Sequence, residues 1–92
     1  PDLHIVYLHA PLGDLDHLGE AYESLGDDAH ALEYHQRALE LGEEISSPYV
    51  PLSLGKLGRI HARRGQSAEA VGFCRRAVER AASMKNGILF SA

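Results

Sequence analysis

The run Leu18-Gly19-Glu20-Ala21-Tyr22-Glu23-Ser24-Leu25-Gly26 returns 39 residues later as Leu57-Gly58-Arg59-Ile60-His61-Ala62-Arg63-Arg64-Gly65. Each copy leads into a segment with alanines at matching offsets, Ala31 and Ala38 in the first and Ala70 and Ala77 in the second. Self-similarity at a period of roughly 20–50 residues marks a chain made by stacking one supersecondary unit. Such a unit cannot bury its apolar face alone, so the repeat constrains the fold before composition is consulted.

The hydrophobic pattern says what the unit is. Leu12, Leu15, Leu18, Tyr22 and Leu25 step by three or four, the stripe of an amphipathic helix, and Gly26 ends it. Asp27-Asp28 offers cap side chains for a second helix over residues 29–45, with Ala31, Leu32, Tyr34, His35, Ala38, Leu39, Leu41 and Ile45 as its broader stripe. Ser46-Ser47-Pro48 predicts a cap and first turn for a third helix over residues 48–64, with Tyr49, Leu52, Leu54, Leu57, Ile60 and His61 for packing. Pro51 falls in that first turn, where its missing N–H removes no helical bond. Gly65 ends the third helix and Ser67 caps a fourth over residues 68–85, expected to bury Ala70, Val71, Phe73, Cys74, Ala77, Val78 and Ala81 before Asn86-Gly87 turns it off. The fold class is all-α, two antiparallel helical hairpins stacked on each other.

Gly19 and Gly58 fall inside predicted helices, where glycine costs roughly 1 kcal/mol relative to alanine. Two at the same repeat position call for a steric reason. Each is expected to let the antiparallel partner helix approach, meeting Ala31 or Ala70, with larger residues filling the space around the contact.

Ninety-two residues make one small domain, and 45% hydrophobic content is that of a folded chain. No apolar run is long enough to span a membrane and no signal peptide opens the chain. One cysteine excludes an internal disulfide and a CxxC metal site, which favours a cytoplasmic setting. Net charge is −4, yet residues 1–46 hold eleven acids and one base for −10, while residues 47–92 hold eight bases and two acids for +6. A nucleic-acid binder would carry a net basic surface, so nucleic acid is not an expected partner. The polarity predicts either attraction between the two repeats across their junction or a charged surface for a partner.

Leu-Gly-x-x-Tyr-x-x-x-Gly followed by the two spaced alanines resembles the tetratricopeptide repeat over residues 12–84. Leu15, Leu18, Gly19, Tyr22, Gly26, Ala31 and Ala38 match its pattern in the first copy, and Leu54, Leu57, Gly58, Gly65, Ala70 and Ala77 in the second. The spacing of 39 is longer than the usual 34 of that family and resembles its long-helix variants. His35 stands where an apolar residue is common, His61 replaces the tyrosine, and no proline stands at Glu43. The resemblance implies a right-handed superhelix, a solenoid fragment, within one domain of residues 1–92. Residues 1–8 read as the end of a preceding helix, 9–46 as one repeat, 47–86 as the next and 87–92 as the start of a third. An extended conformation for His4-Ile5-Val6-Tyr7-Leu8 is the alternative at the first of these segments. Both ends are expected to be cut from a longer array.

The family geometry also implies a concave groove lined by the first helix of each repeat and able to receive a peptide. Its candidate contact residues are Asp16, His17, Glu20, Glu23 and Ser24 on one repeat and Lys56, Arg59, Ala62 and Arg63 on the other. Spacings of three and four put Asp16, Glu20 and Glu23 on one helical face, and likewise Lys56, Arg59 and Arg63. That trio of bases could hold a carboxylate or acidic peptide, or could be neutralised by the facing acids. The asparagine of a carboxylate clamp is missing from both first helices. His4/His9 and His30/His35 are spaced by five, which argues against a metal site, and no cofactor is expected. His35 and His61 are expected to pack in the interior; were the rings buried and neutral, stability would fall as pH drops through about 6.5. Cys74 is expected in the core, and no catalytic motif appears. The sequence therefore predicts a non-catalytic scaffold that binds a protein or peptide. A regulatory array within a larger signalling or transcription protein is the first alternative, and a self-association module, as a homodimer or end to end, is the second.

Overall fold

The computed structural model describes residues 12–91. Four helices account for most of them: α1 (Leu12–Ser24), α2 (Asp28–Glu44), α3 (Val50–Arg63) and α4 (Ser67–Ser91). No strand occurs among the described residues. The helix expected over residues 1–8 lies outside them. α1 packs on α2 and α3 on α4 as hairpins with tight connections, and α3 also packs on α2, joining the two hairpins.

One device ends α1, α2 and α3. After α1, Gly26 donates its N–H to Glu23 and Asp27 donates to Tyr22, both at 2.9 Å. After α3, Gly65 donates to Ala62 and Gln66 to His61. Both glycines take positive φ, 78° and 77°, the left-handed stop that satisfies orphan carbonyls. After α2 the same pair of bonds runs from Ser46 to Glu43 and from Ser47 to Gly42, but the left-handed residue is Ser46, at φ 53°.

The helix starts differ from expectation at two places. Asp27 caps α2 as its sequence suggests, accepting from the His30 N–H at 3.1 Å; that bond and the one to the His30 ring hold its carboxyl below the ordinary value. α3, however, begins at Val50 rather than Pro48, with Tyr49 in the cap position and Pro51 in the first turn. The Ser47 hydroxyl accepts the Tyr49 N–H at 3.1 Å, so the serine shapes the turn before the helix instead of capping it. Ser67 is likewise the first residue of α4 and not its cap; the Gln66 carbonyl accepts the Ala70 N–H, as the Asp27 carbonyl accepts that of Ala31. α4 also runs through Asn86-Gly87, where a stop was expected. The pair permits a left-handed turn without imposing one, and glycine costs a continuing helix only about 1 kcal/mol.

The centre of the core is Leu39 of α2 with Val50, Leu54 and Leu57 of α3, flanked by Leu32, Phe73 and Ala77. Leu15, Ala31, Ala38, Ile60 and Ala70 are buried around it. Gly19 and Gly58 are both buried, as the close-approach argument requires. What they approach is different from the alanine contact expected at Gly19. A methyl group there would lie 2.7 Å from two atoms of the His35 ring, and at Gly58 2.8 Å from Cys74 Sγ and 3.2 Å from the Ala70 carbonyl oxygen. His35 and Cys74 are repeat equivalents, 39 residues apart, so both glycines make room for the same position of the opposing helix.

A second repeated unit is aromatic. Tyr22 stacks on Tyr34 at 5.5 Å with Arg37 over the Tyr34 ring, and 39 residues on His61 stacks on Phe73 at 5.3 Å with Arg76 over the Phe73 ring. His61 thus keeps the shape of the tyrosine it replaces, half-buried, with Nδ1 2.7 Å from Gln66 Oε1.

Several residues expected to pack do not. Leu18, Leu25, Ile45, Tyr49, Leu52, Val71 and Val78 are exposed, and so is Cys74, which was expected in the core. Leu18 matches the repeat pattern, yet no described helix lies on its outer side; Val71, Cys74 and Val78 share the same condition on α4. No described helix is long and apolar enough to cross a membrane.

Candidate interaction surface

The acidic and basic trios read from the sequence face each other across α1 and α3. Lys56 Nζ lies 2.7 Å from Glu20 Oε1 and 3.8 Å from Asp16 Oδ2. Arg59 reaches Glu23 Oε1 at 2.8 Å, and Arg63 bridges Glu23 Oε2 at 3.3 Å to Asp28 Oδ1 at 2.6 Å. Every base of the trio is therefore paired, and the free anion clamp is not the arrangement observed. Asp28 of α2 also joins the network, a partner the helical-face argument did not include. A further pair ties α4 to α2, with both Arg80 guanidinium nitrogens on the Glu43 carboxylate at 3.0 and 2.9 Å.

Beneath this surface network lies His35, fully buried. Its Nδ1 is 3.0 Å from Asp16 Oδ1 and its Nε2 is 3.1 Å from Glu23 Oε1. Asp16 and Glu23 stand one turn before and one turn after Gly19, so the imidazole rests on the glycine between two carboxylates. Each ring nitrogen of His35 thus meets one carboxylate oxygen, so both of its polar atoms are engaged. His35 packs in the interior as expected, but between two carboxylates. The sequence held a signal for this cluster: a histidine at an apolar repeat position, opposite acids three before and four after the repeat glycine. In the second repeat the same positions are Cys74, Gly55 and Ala62, so acids and imidazole are present or missing together.

The electrostatics follow from that packing. Burial opposes the charge on Glu23, but hydrogen bonds from Arg59, His35 and Arg63 together outweigh it and hold its carboxyl below the ordinary value. The hydrogen bond from Lys56 lowers Glu20 in the same direction. Arg63 is held more firmly protonated, first by Asp28 and then by Glu23.

Beside the network a cleft of about 480 Å³ opens between the start of α1, the α2–α3 turn and the start of α3. Its apolar lining is Ile45, Tyr49 and Leu52; Asp16, His17 and Lys56 supply its polar side. Those three apolar residues are largely exposed, and none of them was read from the sequence as a contact residue. Of the residues predicted to line a groove, Asp16, His17 and Lys56 border the cleft, whereas Glu20, Glu23, Arg59 and Arg63 serve the ion-pair network next to it.

No curated protein and no solved structure matches the chain significantly. The family model described as tetratricopeptide repeat matches residues 12–83, most of the chain and both hairpins. With glycine-seated hairpins, repeated aromatic stacks and that match over two copies, the chain belongs to the tetratricopeptide repeat family.

Proposed function

We propose that this chain is a non-catalytic interaction module that takes an apolar side chain of a peptide or partner helix in the cleft between α1 and α3. Tetratricopeptide repeats mediate protein–protein interaction in general. The observation that carries the specific site is the cluster of Ile45, Tyr49 and Leu52, three large apolar side chains left exposed around one concavity. The neighbouring charges are committed to each other, so they hold α1 and α3 at a set separation, and pre-organisation lowers the ordering cost of binding. The apolar anchor supplies affinity, while Lys56, Asp16 and His17 at the rim orient the ligand. An exposed thiol at Cys74 fits a reducing, intracellular setting.

The test is selection of peptides from a random display library on the chain, followed by affinity measurement on two variants. Leu52→Glu and Tyr49→Ala should each weaken the selected peptides by roughly tenfold or more. Peptides that bind both variants as tightly as the unmodified chain would move the site away from this cleft.

A further inference from the structure

Asp16 is only 5% exposed, yet it borders the cleft together with Ile45, Tyr49 and Leu52. Its two carboxylate oxygens are served unequally. Oδ1 lies 3.0 Å from Nδ1 of the buried His35, which Glu23 holds from its other side at 3.1 Å, so the carboxylate is fixed in place. Oδ2 has Lys56 Nζ at 3.8 Å, beyond hydrogen-bond reach, and no other partner among the described residues. The Lys56 ammonium is drawn instead to Glu20, at 2.7 Å. A nearly buried carboxylate oxygen that lacks a donor is costly, and a donor seated in the cleft would relieve it.

The surroundings favour a cation. Asp16 and Glu20 set two negative charges against the single positive charge of Lys56. Asp14 and Glu44, next in sequence to the cleft residues Gly13 and Ile45, are exposed acids with no ion-pair partner among the described residues. The second repeat has Gly55 at the place of Asp16, so only the first repeat carries this acceptor.

We propose that the ligand of this cleft is a basic peptide, with a lysine or arginine beside its apolar anchor. The cation donates to Asp16 Oδ2 while the anchor packs on Ile45, Tyr49 and Leu52. The inference rests on the cleft reading above and adds the sign of the ligand's charge. A lysine or arginine suits a recessed acceptor, because its methylene stem lies along apolar surface while the charged head reaches onward.

Peptides selected on the chain from a random display library test it. They should carry lysine or arginine next to a large apolar residue. Synthetic versions with that base changed to glutamine should bind roughly tenfold more weakly, and versions with glutamate more weakly still. Asp16→Asn, which keeps an oxygen for His35, should weaken the parent peptide to the same extent and bring the basic and glutamine peptides to equal affinity. Lys56→Gln removes a competing cation and should tighten the basic peptide by about threefold or more, a gain that a damaged fold would not give. Binding that falls in Tyr49→Ala but ignores both the peptide's base and Asp16 overturns this inference and leaves the cleft reading standing. Binding indifferent to Tyr49→Ala as well removes both. Preference for the acidic peptide over the basic one also overturns the inference and turns the cleft towards an anion held by Lys56.

Discussion

Ser46 occupies a left-handed position, φ 53°, that Gly26 and Gly65 occupy after the other two terminated helices. The side chain pays a steric cost there that glycine does not, roughly 1–2 kcal/mol before glycine's greater freedom in the unfolded chain is set against it. Ser46→Gly should therefore stabilise the fold by about 0.5–1 kcal/mol in urea unfolding; an unchanged or lower midpoint would mean the serine is not strained. Ser53 presents the opposite case. It is fully buried and its hydroxyl has no hydrogen-bond partner among the described residues. Removing an unsatisfied buried hydroxyl should cost nothing, so Ser53→Ala is expected to be neutral or stabilising by up to about 1 kcal/mol. A marked loss of stability would reveal a partner for that hydroxyl. The two glycine stops were readable in the sequence because glycine advertises the left-handed conformation. The stop at Ser46 was not, since serine at that place also reads as a cap, and the start of α3 was placed too early for the same reason.

At the scale of the helices, the glycines set the distance between α1 and α2 and between α3 and α4. Gly19→Ala should destabilise by about 1–3 kcal/mol, because the new methyl meets the His35 ring and the carboxylates on either side prevent the ring from moving. His35→Ala removes the obstacle, so the double variant should lose less than the two single losses added together; strict additivity would show that the glycine answers to something else. That glycine was needed here was legible from its repetition. Its contact was not, because the shared pattern points to alanine while the local departure, His35, is what rests on Gly19. The amphipathic stripes were legible as helices, but their outer residues were misjudged. Periodicity reports which residues share a face, and only the neighbouring helix decides whether that face is covered. Leu57 and Leu18 have the same periodic position and opposite surroundings.

At the scale of the whole molecule, part of the charge of the −10 and +6 halves is paired at one seam, where Asp16, Glu20, Glu23 and Asp28 meet Lys56, Arg59 and Arg63. Glu23 has the greatest stake, since its carboxyl titrates lower in the fold than its ordinary 4.5. Its contribution is fully present above that ordinary value and is lost as pH falls through the lower, folded one. Melting temperature should drop on acidification from about pH 6 to about pH 3, and less steeply in Glu23→Gln; equal slopes would remove Glu23 as a cause. Glu43→Gln, which breaks the solvent-exposed pair with Arg80, should change stability by only about 0.5 kcal/mol in the same assay. The pairing of the halves was legible as one of two outcomes of the charge asymmetry. The cleft was not, because Ile45, Tyr49 and Leu52 looked like packing residues, and only the packed helices leave them exposed.

The seam is also directional. Lys56 finds carboxylates because the preceding hairpin carries Asp16 and Glu20; the second hairpin has Gly55 and Arg59 at those places, and Ala62 in place of Glu23. A gene that lengthened this array by copying its latter half would set lysine against arginine and leave two guanidinium groups unanswered. Growth by plain duplication is thereby penalised, and the order of the modules is written into their ionisable groups.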